Sequence, residues 1–477
     1  IDIPLMKTAT VTKVNNDYFY STYIDWTKSN SNDNPTRLFP FSVDPDSFQN
    51  SYSSSYIAGQ NNIYPAFDET TYITVSADIK ETFMRIHRSP SSYRDTLNHR
   101  IVLDIFNINT PILNLNRVNS AKMIISQLHS YGLDNLLVML HGGNYINSIG
   151  VAYPTHWPPL ESYGSTQDLQ NLIQTAENYG HLISEIHIDY NDFFQNSPQW
   201  NNYCQGSPPM PNNAPNFPIA LNPDGSCKIS GWWSPTYQNG DYFYSIAIDK
   251  MIGYAQQEAP TISSNLDLSA VYLDVSPKVS LKELIDYSSS NYNSRTIKDG
   301  LQRNIEFNNY IRNIFGGPIS GEGGEHYQAT IDTLLAGNID AVAREINKRE
   351  MAPVIPDFEL REVKPLMANQ GMGPYERWLD NQGTSQWSVP VNFNTFPIDK
   401  YRATVIAFGH TGLVTDMFLY DNPNGITMTD YIAHAVKEYY IFRKLQEEYL
   451  SSDIVNILYK NPSGNLVPLS QALKEYS

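Results

Sequence analysis

The sequence predicts an α/β fold, a (β/α)8 TIM barrel with a small β-rich N-terminal module. Three observations predict it. Short apolar runs alternate with stretches of helical spacing from about Asp78 onward, the pattern of parallel strands and crossover helices. Two of those runs, Ser269-Ala-Val-Tyr-Leu-Asp-Val-Ser276 and Gly317-Pro-Ile-Ser-Gly-Glu-Gly-Gly324, each carry one carboxylate, Asp274 and Glu322. Polar residues recur at the same ends of other runs, which in a barrel is the catalytic rim.

The elements follow in order. Residues 1–80 have their own texture. Thr8-Ala-Thr-Val-Thr-Lys-Val14 alternates like a strand, Asp17-Tyr-Phe-Tyr-Ser-Thr-Tyr23 is aromatic and β-prone, and Ser29–Pro35 and Ser47–Asn62 are polar loops. The barrel is expected over 81–450. Arg100–Phe106 reads as strand one, Arg117–Tyr131 as a helix stopped by Gly132, and Asn135–His141 as strand two. A helix over Thr166–Tyr179 ends at Gly180, and Leu182–Tyr190 is strand three. An insertion over 191–240 and a helix over Tyr242–Gln257 precede the Asp274 strand. A helical pattern within Ser280–Phe315 leads to the Glu322 strand. A helix over His326–Ala336, strand six at Ile339–Ala343 and strand seven at Pro353–Phe358 come next. A helix over Lys400–Phe408, strand eight at Gly412–Phe418 and a closing helix over Tyr431–Tyr449 complete the count, and 451–477 is a short C-terminal extension.

Composition bounds the function. The 477 residues are 41% hydrophobic and 17% charged, enough for a sizeable core. Net charge is -17, from 49 acidic and 32 basic residues, with no Lys/Arg cluster, so nucleic acid is a poor partner. No apolar run approaches the roughly 18 residues of a membrane span. Cys204 and Cys227 lie in one Pro/Asn/Gly-rich stretch, which favours a disulfide and an oxidising compartment. With Ile1 in first place, as after processing, this points to a secreted or cell-surface protein.

The polar residues at the expected strand ends are Asp104, His141, His187, Asp189, Asp274, Glu322 and Asp357. No Gly-rich phosphate loop follows a strand and no Gly-x-Ser-x-Gly elbow occurs, so nucleotide and Ser-hydrolase chemistry lack support. His141, His187 and Asp189 have no ligand spacing, and no metal or other cofactor is expected. Two carboxylates on adjacent strands suit glycoside hydrolysis, in which one attacks the anomeric carbon and the other protonates the leaving oxygen. Whichever of the two is the acid needs a raised pKa, which the charge of the other would favour. Trp200, Tyr203, Trp232 and Trp233 in the insertion, with His156 and Trp157 after strand two, supply rings for sugar stacking or for packing the loops themselves.

A family resemblance rests on motifs in order. These are His141-Gly-Gly, Gly180-His-Leu, His187-Ile-Asp-Tyr-Asn-Asp192, Asp224-Gly225 then Gly231-Trp-Trp233, Tyr272-Leu-Asp-Val275, Ser320-Gly-Glu-Gly323, Pro356-Asp-Phe-Glu-Leu360 and Ala407-Phe-Gly-His410. Over roughly residues 80 to 450 the chain resembles barrel glycoside hydrolases of the endo-α-N-acetylgalactosaminidase-like group. It departs from them at Gly143-Asn144, where many relatives carry Trp, and, with the sequence running only to Ser477, their large C-terminal β-sandwich is expected to be missing or abbreviated. The resemblance implies Asp274 as nucleophile and Glu322 as acid/base of a retaining enzyme acting on an α-linked glycoside. His141, His187, Asp189, Trp232, Trp233 and Asp357 would hold the carbohydrate. A non-catalytic carbohydrate-binding or structural surface protein on the same barrel is the alternative.

Overall fold

The structure, a computed structural model, describes residues 18–24, 28–32, 56–58, 64–83, 90–105, 115–140, 153–184, 187–212, 216–230, 242–274, 285–288, 295–321, 341–342, 357, 359–369, 398–415 and 427–475. In chain order the first strands are β1 (Phe19–Ile24) and β2 (Thr71–Ser76). Then follow α1 (Arg94–Asn98), β3 (Val102–Ile105), α2 (Arg117–Ser130), β4 (Leu137–Leu140), α3 (Thr166–Asn178), β5 (Leu182–Ser184), β6 (His187–Ile188) and β7 (Asp192–Phe194). The short β8 (Cys204–Gln205) and β9 (Met210–Pro211) precede β10 (Phe243–Ser245), α4 (Ile248–Asn265), β11 (Val271–Leu273), α5 (Ile297–Phe315) and β12 (Ile319–Gly321). The chain continues with β13 (Ala341–Val342), β14 (Ala368–Asn369), α6 (Ile398–Phe408), β15 (Leu413–Thr415) and α7 (Met428–Ser451). It closes with β16 (Leu458–Lys460), β17 (Leu466–Pro468) and α8 (Leu469–Glu475).

Two parallel sheets form the centre, in the orders β15-β3-β4-β5 and β6-β11-β12-β13-β14. One stretch, Leu182–Ile188, supplies β5 to the first sheet and β6 to the second, so the chain itself joins them. Strand order follows the sequence, and the last strand, β15, returns to lie beside β3. Among the described residues no ladder joins β14 to β15. The strands β3, β11, β12 and β15 are buried along their whole length, which is why they read as unbroken runs rather than alternating ones.

Helix starts obey local chemistry. Asn116 and Thr296 accept backbone N–H bonds at the starts of α2 and α5, and Ser165 with Asp168 and Thr427 with Asp430 form capping boxes for α3 and α7. α5 ends on Gly316 in the left-handed conformation. At the next residue, Gly317, a Cβ would stand 2.3 Å from the Ser269 carbonyl oxygen. Only glycine admits that approach, which seats the start of β12 against the start of β11.

The β-prone stretch near residue 20 forms β1, antiparallel to β2. The Ser29 and Ser31 carbonyls accept the amides of Lys298 and Ile297, two donors that the first turn of α5 leaves open. The C-terminal extension forms the β16–β17 hairpin and α8, where Ser470 Oγ donates to Asp78 and accepts the Ile79 amide.

The structure departs from the sequence reading at two places. Ala368–Asn369 pairs with β13, and of the strand expected over Pro353–Phe358 only Asp357 is among the described residues. Asp357 is instead helical, and its Oδ1 accepts from Arg361 Nε at 2.6 Å, one helical turn on. The helix expected from Tyr242 begins at Ile248, because Phe243–Ser245 pairs with β7, and it runs through Pro260 to Asn265. The strand expected over Thr8–Val14 and the helix over His326–Ala336 lie outside the described residues.

Cys204 and Cys227 form the expected disulfide across 23 residues. Closing a loop of that size constrains the unfolded chain by roughly 3 kcal/mol. Cys227→Ala should therefore lower the free energy of unfolding by about that amount. Unchanged denaturant midpoints would show that the insertion is held by its other contacts.

His181 gives the fold an acid limit. It is 2% exposed, its Nδ1 accepts the Leu136 amide at 3.1 Å, and burial, aided by the Arg100 and His129 charges against Asp134, pulls its pKa from 6.5 to about 4. A histidine with a depressed folded pKa contributes stability that is present above pH 6.5 and lost as pH falls toward 4, about 1.4 kcal/mol per unit. His181→Asn, whose carbonyl oxygen replaces Nδ1 as acceptor, should flatten the fall in Tm between those pH values. An unchanged slope would place the acid limit elsewhere.

Candidate active site

Three neighbouring strands reach the same level at their C-terminal ends. Leu273 stands opposite Ile188 on one side and Gly321 on the other. The next residues in sequence are Asp189, Asp274 and Glu322. The Asp274 amide continues the ladder by donating to the Ile188 carbonyl at 2.8 Å, and Asp274 is 8% exposed. Glu322, His141, Trp232 and Trp233 lie outside the described residues, and of His187 the backbone in β6 is described.

Asp189 is fully buried. Its Oδ1 accepts the amides of Asn191 at 2.7 Å and Asp192 at 3.3 Å, a turn closed by its own side chain, while its Oδ2 has no hydrogen-bond partner among the described residues. Burial raises its pKa well above the usual carboxylate range, and the charges of Asp192 and Asp274 push the same way. Asp192, also buried, stands opposite Ser245 in the β7–β10 pair.

A second group of polar side chains braces this turn. Glu258 of α4 accepts the amides of His156 and Trp157 on Oε1, both at 2.7 Å, and His156 Nδ1 at 2.9 Å on Oε2. The Tyr190 hydroxyl donates to the same Oε2 at 3.1 Å. On its other side the His156 ring accepts the Asp189 amide on Nε2 at 2.9 Å. Accepting there fixes the ring as neutral with its proton on Nδ1. Burial pushes the Glu258 carboxyl up, but His156 and the two backbone amides outweigh it and hold it below its ordinary value.

The remaining expected residues fall elsewhere. Asp357 is fully buried, with Oδ1 on Arg361 one helical turn on and Oδ2 accepting the hydroxyl of Tyr459 in the C-terminal hairpin at 2.8 Å. Asp104 is buried within β3 and accepts from Thr415 Oγ1 at 3.2 Å. Trp200 stacks on Tyr244 at 5.1 Å and meets Phe193 and Tyr203 edge-on, which makes it a packing ring of the insertion.

Glu258 was absent from the sequence reading, although a signal exists. On α4 the residues Met251, Ala255, Ala259 and Ile262 are buried, and Glu258 sits three residues after Ala255 and four before Ile262. A carboxylate on the apolar stripe of a helix marks a buried polar partner.

No family model matches the sequence, and no curated protein matches it. Solved structures do match in fold. The alpha-N-acetylgalactosaminidase NagBb from Bifidobacterium bifidum, in its GalNAc complex, superposes with a TM-score of 0.57 at 12% identity over 93% of this chain and 67% of that one. Its ligand-free form gives 0.54 at 11% identity over 95% and 72%, and a quadruple mutant gives 0.51 at 11% over 82% and 60%. The chain has a glycosidase-like fold. It spans 60% to 72% of the length of these structures.

Asp189→Asn tests the electrostatics. A raised folded pKa gives stability that is full below the unfolded value, near 3.8, and is lost as pH rises through the folded value. The amide keeps an acceptor for the Asn191 and Asp192 N–H groups and cannot ionise. The Tm of Asp189→Asn relative to the unsubstituted protein should therefore climb from pH 4 to pH 7. A difference constant across that range would contradict the buried-acid account.

Proposed function

We propose that this chain is a retaining glycoside hydrolase that cleaves an α-linked glycoside by double displacement, on a barrel closed between β14 and β15. The observation that carries the reading is the common register of three strand ends. Leu273 pairs with both Ile188 and Gly321, which sets Asp274 between the strands that lead into Asp189 and Glu322. The fold shared with an alpha-N-acetylgalactosaminidase supports a carbohydrate substrate.

In this mechanism the Asp274 carboxylate attacks the anomeric carbon while Glu322 gives its proton to the leaving oxygen. A glycosyl-enzyme forms on Asp274. Glu322, now a base, takes a proton from water, and the water displaces the sugar with retention. Asp189, filling the buried place beside Asp274, orders the turn behind the nucleophile. His141, His187, Trp232 and Trp233 hold the sugar, whereas Asp357, committed to Arg361 and Tyr459, leaves the binding set. The disulfide supports a secreted or cell-surface location.

Two variants test it on a panel of aryl α-glycosides. Asp274→Asn should keep the fold and lower turnover about 10³-fold or more, because the amide cannot attack. Glu322→Gln should lose natural glycans, whose leaving alcohols need a proton, yet form the glycosyl-enzyme from activated aryl glycosides. Azide should then restore turnover and give the α-glycosyl azide. A β-azide would mean direct displacement without an Asp274 intermediate, and an unsubstituted protein that binds sugars without cleaving them would be a carbohydrate-binding protein instead.

A further inference from the structure

The Glu258–His156 pair is too deep to meet a substrate in the described structure. His156 is 2% exposed, and the Glu258 side chain is 12% exposed. Placing a carboxylate there is costly unless several donors satisfy it. Four donors do so, the two backbone amides of residues 156 and 157, the His156 ring and the Tyr190 hydroxyl. Those donors come from two separate segments, the loop after β4 and the chain immediately after β6. Glu258 belongs to a third, the helix that leads into β11 and Asp274. One carboxylate thus ties together the pieces that surround the Asp274 strand end.

The tie ends at a specific atom. With its Nδ1 proton directed to Glu258, the His156 ring has its Nε2 lone pair on the Asp189 amide. That amide follows Ile188, whose carbonyl accepts the Asp274 amide. The Ile188 C=O and the Asp189 N–H belong to one peptide group, so the path from Glu258 to the Asp274 backbone runs through one ring and one peptide unit. We propose that Glu258 and His156 are positioning residues that fix the Asp189 turn, and through it the place of the Asp274 carboxylate. The proposal rests on the glycosidase reading for its effect on turnover, while its effect on the Asp189 amide stands apart from that reading.

The tautomer supplies the test. Glu258→Gln can keep a carbonyl oxygen for the two backbone amides, but its NH2 then faces His156 Nδ1. The ring must move its proton to Nε2 to accept there, and Nε2–H then points at the Asp189 N–H, donor against donor. Hydrogen exchange at the Asp189 amide should accelerate in Glu258→Gln, with Tm close to that of the unsubstituted protein. Turnover per active site, counted with a covalent glycosidase reagent that labels Asp274, should fall about 10²-fold, as for a displaced reacting group, with KM little changed. With Glu258 intact, His156→Gln, whose side-chain oxygen can accept from Asp189 while its nitrogen donates to Glu258, should keep most of the turnover, and His156→Leu should not. Unaltered exchange at Asp189 in Glu258→Gln would overturn the proposal. So would full turnover per labelled site, or an activity loss that only follows a smaller folded fraction. If the unsubstituted protein cleaves no glycoside, the glycosidase reading fails, and the exchange data alone decide whether the pair holds the turn.

Discussion

The amide of Asp274 donates to the carbonyl of Ile188, and that bond extends a parallel ladder one step past its last paired residues. Much of the site depends on it. In a parallel sheet a slip of one residue turns each side chain to the opposite face. On the other flank of β11, Gly317 lets the segment before β12 come against the Ser269 carbonyl, so a residue without chemistry of its own allows the close start of the β11–β12 pair.

Burial then decides how those carboxylates behave. Asp189 and Glu258 are both removed from water, yet their proton affinities move in opposite directions. Asp189 has two backbone donors on one oxygen, none on the other among the described residues, and two acids beside it. Glu258 has four donors, the His156 ring among them. The sign of each shift follows from counting donors against neighbouring charges. Both acids sit around one strand end, so the surroundings of Asp274 combine a proton-retaining carboxyl and a charge-retaining one.

The parallel strands were legible because each is buried on both faces and therefore written as an apolar run. Val102–Ile105, Leu137–Leu140, Val271–Leu273, Ile319–Gly321 and Leu413–Thr415 all fall inside expected strands. The paired cysteines were legible from their isolation in one loop. At Asp357 a strand was expected because Val354-Ile355 between two prolines looks like a short buried run, whereas Asp357 itself is helical and its spacing to Arg361, which marks a helical turn, went unread. The residues Tyr242–Tyr244 were drawn into a helix because their pairing with β7 is a long-range fact that local spacing does not carry. His156 and Glu258 meet across 102 residues, so neither declares the other in sequence.

The pairing of β15 with β3 has a consequence for how the chain matures. The hydroxyl of Thr415 and the carboxylate of Asp104 that it reaches are 311 residues apart. During synthesis β3 leaves the ribosome early and pairs on one side with β4, while its other edge has no partner until β15 is made. An apolar, unpaired strand edge invites strands from other molecules. Until Leu413–Thr415 is made that edge stays open to strands of other molecules, and a chain cut ahead of Leu413 lacks the strand that covers it.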